Sequence, residues 1–134
     1  MVWPDIAQRP RAVVLDATGI PSAIPLNTCY VAAMPDRETA LATTAVMNST
    51  WAAAFFSQNA DEARGGYLRI NASVAQQLPV PHKGSRRVAL AKLTKRVQND
   101  EGDSDEELDE AVADALCLSK RARKILRKLA DNSG

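Results

Sequence analysis

A short segment near the middle of the chain, residues 64–71, combines the side-chain types that recognise nucleic acids. In the major groove, a guanidinium reads guanine and a carboxamide reads adenine through paired hydrogen bonds, while a tyrosine contacts phosphate or stacks. The segment also contains a diglycine, whose missing Cβ atoms let a backbone approach a phosphate or a base edge closely. The candidate DNA-binding residues of this segment are Arg64, Gly65, Gly66, Tyr67, Arg69 and Asn71.

Strict alternation of polar and apolar residues predicts that residues 67–71 form a strand. One face of this strand then carries the ring, the guanidinium and the amide, and the other face carries the two apolar residues. A purely structural interpretation stays open for the same residues. In that interpretation the diglycine makes a turn, Tyr67 packs in the core, and Arg69 pairs with Asp61 or Glu62.

Catalytic chemistry has little support in the sequence. The only histidine, His82, has no Cys or Ser partner in a local motif, and no glycine-rich phosphate loop is present. The paired acids cluster in a polar stretch, where solvation keeps carboxylates ordinary, and they lack the spacing of a calcium loop. We therefore expect that the chain is not an enzyme by itself, and we assign no catalytic residue and no metal ligand.

The net charge of +1 conceals three charged blocks. Residues 83–98 carry six basic groups and no acid, residues 99–110 carry eight acids and no base, and residues 120–128 carry six bases. A basic block can bind the phosphate backbone. Alternatively, the blocks are the faces of neighbouring helices that attract each other. If the first basic block lies along DNA, its candidate contacts are Arg86, Arg87 and Lys92.

The length of 134 residues fits one domain, or one compact part with an appendage. No apolar run is long enough to span a bilayer, and the first residues lack the layout of a secretory signal. The two cysteines, Cys29 and Cys117, lie far apart and form no metal-binding motif. We therefore expect a cytoplasmic protein with no membrane partner.

Residue patterns predict an α+β fold: a small sheet of about three strands with a packing helix, followed by a three-helix C-terminal segment. The division expected from this pattern is an α+β part over residues 1–82 and a helical part over 83–134. The predicted elements are strands over 11–15, 26–33 and 67–71, a helix capped by Asp36 that runs to about Phe56, a helix capped by Ser85 that runs to about Asn99, a helix started by a Ser104–Glu107 capping box, and a last helix started by Ser119.

Within the long helix that follows Asp36, we expect Asn48 and Ser49 to allow close packing and the nearby aromatic residues to lie in the core. The helix that follows Ser85 is expected to bury one stripe of residues at four-residue spacing. The expected core aromatics are Trp51, Phe55 and Phe56, and the expected stripe is Ala89, Leu93 and Val97.

Four segments of the chain resemble, in order, the C-terminal target-recognition region of N6-adenine DNA methyltransferases from restriction-modification and phage-defence systems. They are LNTCYV at 26–31, AVMNSTW at 45–51, RGGYLRI at 64–70 and QLPVP at 77–81. The later segment LDEAVADALCLS at 108–119 is similar to that family's terminal helical pair.

The resemblance implies a non-catalytic specificity module or C-terminal fragment that recognises double-stranded DNA beside a methyltransferase catalytic domain or subunit. The family's catalytic Asn/Asp-Pro-Pro-Tyr/Phe motif and its S-adenosylmethionine-binding loop do not occur in this sequence. The cofactor would therefore belong to that catalytic partner, and no cofactor is assigned to this chain. Self-association through an exposed sheet edge also stays open.

Two other interpretations stay open. The chain could be a helical packing module that associates with a methyltransferase core without touching DNA, as the near-neutral charge suggests. It could also be an independent helix-turn-helix whose two helices span residues 108–116 and 119–129.

Overall fold

The structure is a computed structural model that describes residues 1–15, 27–99 and 105–132. These residues form five short strands and six helices, so the predicted α+β class is confirmed. In chain order the elements are β1 (Val2–Pro4), β2 (Ile6–Ala7), β3 (Cys29–Val31), α1 (Arg37–Asn48), α2 (Thr50–Asn59), β4 (Asp61–Ala63), β5 (Tyr67–Arg69), α3 (Ala72–Ala75), α4 (Ser85–Gln98), α5 (Asp105–Ala115) and α6 (Lys120–Asp131).

The strands form two small antiparallel sheets rather than the one sheet that we expected. Strand β1 pairs with β3, and a second sheet has the order β2–β5–β4. The strand predicted over residues 11–15 is reduced to a single bridge between Val13 and Val2. The reason lies at Ala12, whose amide donates to Oδ1 of Asn48 (2.6 Å) and whose carbonyl accepts from Nδ2 of Asn48 (2.9 Å). The Asn48 side chain thus takes the place of a neighbouring strand.

Helix α1 lies at the centre of the structure. The Asp36 carboxylate accepts a hydrogen bond from the Thr39 amide at 2.7 Å, as expected for an N-cap, and this bond lowers the pKa of the Asp36 carboxyl below its usual value. Residues 39–47 are all buried. A helix buried on every side must be surrounded by other elements. Most of these residues are alanine or threonine, and their small side chains let the neighbouring elements approach closely.

The prediction of one helix from Asp36 to about Phe56 is wrong, because the chain breaks at Ser49. Ser49 is extended (φ −78°, ψ 158°), and its hydroxyl donates to the Val46 carbonyl at 2.6 Å. The same oxygen accepts from the Ala52 amide at 3.3 Å, so Ser49 caps the start of α2. The Asn48 amide is meanwhile engaged with Ala12. Ser49 thus ends one helix and begins another, and it is buried as we expected from close packing.

A carboxylate from helix α5, which is distant in sequence, completes the capping of the first amides of α2. Oδ1 of Asp109 accepts from the Thr50 amide at 2.7 Å, and the Asp109 carbonyl accepts from Nε1 of Trp51 at 2.7 Å. Asp109 is only 9% exposed. A negative charge is favourable there because the first amides of a helix lack partners and carry the positive end of its dipole.

The C-terminal helices match their predicted positions better than their predicted caps. Helix α4 spans nearly the expected residues, but its N-cap is Gly84, so Ser85 is not the cap. Ser119 does cap α6, accepting from the Ala122 amide at 3.2 Å. The predicted capping box begins at Ser104, which lies outside the described residues.

Helix α4 buries a broader and different stripe from the one we expected. Ala89 is exposed and Val97 is half-buried, whereas Leu93 is buried as predicted. The stripe is rotated because α4 packs against α1 on one side and α5 on the other. The buried residues of α4 are Arg87, Leu90, Ala91, Leu93 and Thr94.

Two core clusters meet at α1. The first joins α1 and the start of α2 to α4 and α5, so it contains residues from both sides of the expected boundary at residue 82. The second lies between the helices and the sheets, and it buries Phe56 while Phe55 is half-buried. The buried members of the first cluster are Ala42, Ala45, Val46, Trp51, Leu90, Leu93, Leu108, Val112 and Ala113. Those of the second are Trp3, Ala12, Met47, Ala52, Phe56, Ile70, Val74 and Leu78.

Within the part of the chain that the structure describes, no helix has the length and apolar character needed to cross a membrane.

The Asp109 cap of α2 leads to a stability prediction. We expect Asp109→Ala to lower the free energy of unfolding by about 1–3 kcal/mol, because the Thr50 amide would lose its acceptor in a partly buried site. Asp109→Asn keeps an Oδ1 acceptor and should retain most of the stability. Urea unfolding followed by circular dichroism measures both variants.

Glu106→Gln, on the exposed face of the same helix, is the matched control and should change the free energy of unfolding by no more than about 0.5 kcal/mol. An Asp109→Ala protein as stable as the wild type would show that this carboxylate does not anchor α2.

Candidate nucleic-acid interface

Strands β4 and β5 form a hairpin whose turn consists of Arg64, Gly65 and Gly66. Both glycines adopt positive φ, +78° at Gly65 and +76° at Gly66. This left-handed conformation strains residues that have a Cβ atom, so the diglycine is required by the turn. A Cβ atom added to Gly66 would meet nothing within 4 Å, so the tip is open to an approaching surface. Because the other two turn residues are glycines, Arg64 supplies the only side chain of the turn.

The outer face of β5 presents Tyr67 and Arg69, which are 41% exposed over the whole residue and 53% exposed over the side chain, respectively. The ring of Tyr67 therefore does not lie in the core. Leu68 is half-buried and Ile70 is fully buried on the opposite side. The predicted alternation is confirmed from Tyr67 to Ile70.

Arg69 has a weakly held acidic neighbour. Its Nη1 atom lies 3.9 Å from Oδ2 of Asp5, and Asp61 is its register partner on β4. Exposed ion pairs of this length contribute at most about 1 kcal/mol, so a phosphate or a base can compete for the guanidinium. Arg64 is exposed, and it has no ion pair with an acid among the described residues.

Asn71 does not share a strand face with Tyr67 and Arg69, so that part of the prediction is wrong. Strand β5 ends at Arg69, and Oδ1 of Asn71 accepts from the Val74 amide at 3.0 Å to cap α3. The sequence contains this signal, because asparagine before a short helical stretch is a strong N-cap. The structure thus brings Arg64, Tyr67 and Arg69 together and assigns the Asn71 side chain to a local role.

The three candidate residues of α4 lie in three different environments. Arg87 is 6% exposed; it donates to the Thr39 hydroxyl and lies 3.3 Å from the Glu38 carboxylate. Arg86 donates to the Asp114 carbonyl at 3.0 Å and to Sγ of Cys117 at 3.2 Å. These two arginines therefore hold α4 against its neighbours, although Arg86 is itself exposed. The side chain of Lys92 is exposed and has no hydrogen bond or ion pair with any described residue.

Basic and acidic blocks attract each other across the C-terminal helices, as the second interpretation of the charge pattern expects. Arg123 of α6 contacts Glu110 at 2.5 Å and Asp114 at 2.7 Å, and its hydrogen bond to Asp114 raises the pKa of the guanidinium. Arg127 contacts Glu110 at 2.9 Å and lies over the ring of Trp51, 5.5 Å from its centroid. These pairs join α5 to α6 and remove two arginines from any surface that binds phosphate.

The exposed groups of the hairpin are suited to binding a partner. No group of three or more His, Cys, Asp or Glu side chains in residues 1–15, 27–99 and 105–132 could hold a metal ion. The hairpin provides an open backbone turn, an aromatic ring and two guanidinium groups, which suit a planar or anionic partner.

Comparison of the chain with protein-family models, with curated proteins and with solved structures finds no match.

The left-handed turn of the hairpin gives a second stability prediction. We expect Gly66→Ala to lower the free energy of unfolding by about 1–2 kcal/mol, because alanine is strained at this φ although its Cβ atom has space. Gly66→Asn should be milder, since asparagine tolerates the left-handed region. Urea unfolding compares the two variants, and equal stability of the alanine variant and the wild type would contradict the turn conformation.

Proposed function

We propose that this chain is a non-catalytic DNA target-recognition module that works with the catalytic domain or subunit of an N6-adenine DNA methyltransferase in a restriction-modification or phage-defence system. The observation that carries the proposal is the β4–β5 hairpin, which presents Arg64, Tyr67 and Arg69 beside an open diglycine turn. The resemblance of four ordered sequence segments to that methyltransferase region names the class of partner.

Each exposed hairpin side chain has a distinct role in the proposed complex. Arg69 is suited to paired hydrogen bonds with guanine, and Arg64 at the tip is suited to a phosphate. Tyr67 offers a flat ring that stacks and a hydroxyl that donates to phosphate. Lys92, exposed on α4, contacts a phosphate of the DNA backbone. This contact positions the module without reading the base sequence.

In this proposal, methyl transfer is carried out by the partner, because the catalytic motif and the S-adenosylmethionine loop are not in this sequence. The complex would act on double-stranded DNA in the cytoplasm.

A second candidate function is a packing module that binds a methyltransferase core without contacting DNA. It is favoured by the charge cancellation between α5 and α6 and by an apolar cavity of about 160 Å³ between α2 and the α5–α6 turn. Residues that line this cavity include Trp51, Phe55, Leu78, Leu116, Leu118 and Leu126.

A DNA-binding titration of the chain at low and near-physiological salt tests the first proposal. We expect salt-sensitive binding, and we expect Arg69→Ala to weaken it by about 1–3 kcal/mol, roughly 5–150-fold, on a duplex that contains the recognised base. Arg64→Ala should weaken binding to all duplexes alike. Arg11→Ala, which also removes an exposed arginine, is the matched control and should leave affinity unchanged.

Equal DNA affinity of wild type and both hairpin variants would overturn the hairpin as the recognition element. Absence of DNA binding at low salt, together with binding to a methyltransferase catalytic subunit, would replace the first proposal by the second candidate function.

A further inference from the structure

The outer face of α6 carries a stripe of four cations that the inter-helix ion pairs do not use. Arg123 and Arg127 point to α5 and α2, but the other cations of the helix are exposed and have no ion pair with any acid in the described part of the chain. The only acid of α6 is Asp131, at its last position. We define the cationic stripe as Lys120, Arg121, Lys124 and Lys128.

Three of the four cations of the stripe lie where the electrostatics of their own helix disfavour them. Lys120 and Arg121 occupy the first turn, where the positive end of the helix dipole disfavours cations. Lys120, Lys124 and Lys128 follow one another at four-residue spacing, and like charges at this spacing repel. Lys128 lies in the last turn, where the negative end of the dipole favours a cation. Folding therefore gains nothing from the charges of Lys120, Arg121 and Lys124 in these positions, and a role in binding an anion accounts for them.

Packing leaves the stripe as the part of α6 that is available to a ligand. The opposite side of the helix rests on α2, where Ala130 is buried with Ala53 and Ala54 and where Leu126 and Leu129 are half-buried. Because this apolar side is occupied, α6 cannot insert it into a membrane surface as a free amphipathic helix would. The ion pairs to α5 further fix the orientation of the helix.

We propose that the cationic stripe binds the phosphate backbone of duplex DNA, as a second contact surface separate from the hairpin. The inference rests on the proposed DNA-binding function. Lys120 and Lys128 are eight residues apart, so the stripe extends about 12 Å along the helix. Each DNA strand carries one charge per about 3.4 Å of duplex axis, so a few phosphates lie within this length. Three of the four cations are lysines, which bind phosphate as point charges and read no base pattern.

The salt dependence of DNA binding tests the stripe. In the double variant Lys120→Gln and Lys124→Gln, two phosphate contacts are lost, so the slope of log affinity against log salt should become shallower by about 1.8, at about 0.9 per contact. The double variant Arg11→Gln and Arg37→Gln removes the same charge from exposed positions outside the stripe and outside residues 83–98, and it should leave the slope unchanged. Circular dichroism of both variants checks that they fold.

The outcomes separate this inference from the proposed function. If the slope is unchanged in the Lys120/Lys124 variant while Arg69→Ala still weakens binding, the stripe does not bind DNA and the hairpin remains the recognition element. If the slope becomes shallower while the hairpin variants bind DNA as the wild type does, the stripe is supported as a DNA-binding surface and the hairpin is overturned as the recognition element. No DNA binding by the wild type at low salt overturns both. Stripe-dependent binding to phosphatidylserine vesicles, with a DNA slope that does not depend on the stripe, assigns α6 to membranes instead.

Discussion

The arrangement of the chain depends on one constraint: the first backbone amides of α2 have no carbonyl of an earlier helical turn to pair with, so they need other acceptors. Helix α1 is buried through residues 39–47, so it ends inside the protein, and the next helix must begin there as well. Buried amides without acceptors would be costly. Ser49 supplies one acceptor from the chain itself, and Asp109 supplies the other from a helix about sixty residues further on. Capping of α2 therefore requires the C-terminal helices to be docked.

The same junction determines where the hairpin points. Helix α2 leads through Ala60 directly into β4, so fixing its start also fixes the base of the hairpin. At the other end of β5, Ile70 is fully buried, and its carbonyl accepts from Nε1 of Trp3 at 2.8 Å. Its amide donates to the Asp5 carbonyl at 2.6 Å. The base is thus held on both sides, while the diglycine tip extends into solvent.

Local signals allowed part of the fold and of the site to be predicted. Asp36 and Ser119 cap helices because their oxygens need only nearby amides, and the alternation around Leu68 follows from the pleat of a strand. The break at Ser49 depends on Asp109, a partner that sequence spacing does not reveal. The burial of Arg87 likewise depends on tertiary contacts. Basic residues of α6 could be counted from the sequence, but their division into paired and exposed sets requires the packing of α5 against it.

Amide chemical-shift mapping of the ¹⁵N-labelled chain, titrated with a short DNA duplex at low salt, tests the central claim most directly. The claim is that DNA is bound by the hairpin tip and by the outer face of α6. We expect shifts at Gly65, Gly66 and Tyr67 and along α6 from Lys120 to Lys128, with the buried residues of α1 unchanged. Shifts confined to other surfaces, or none at saturating duplex, would contradict the account.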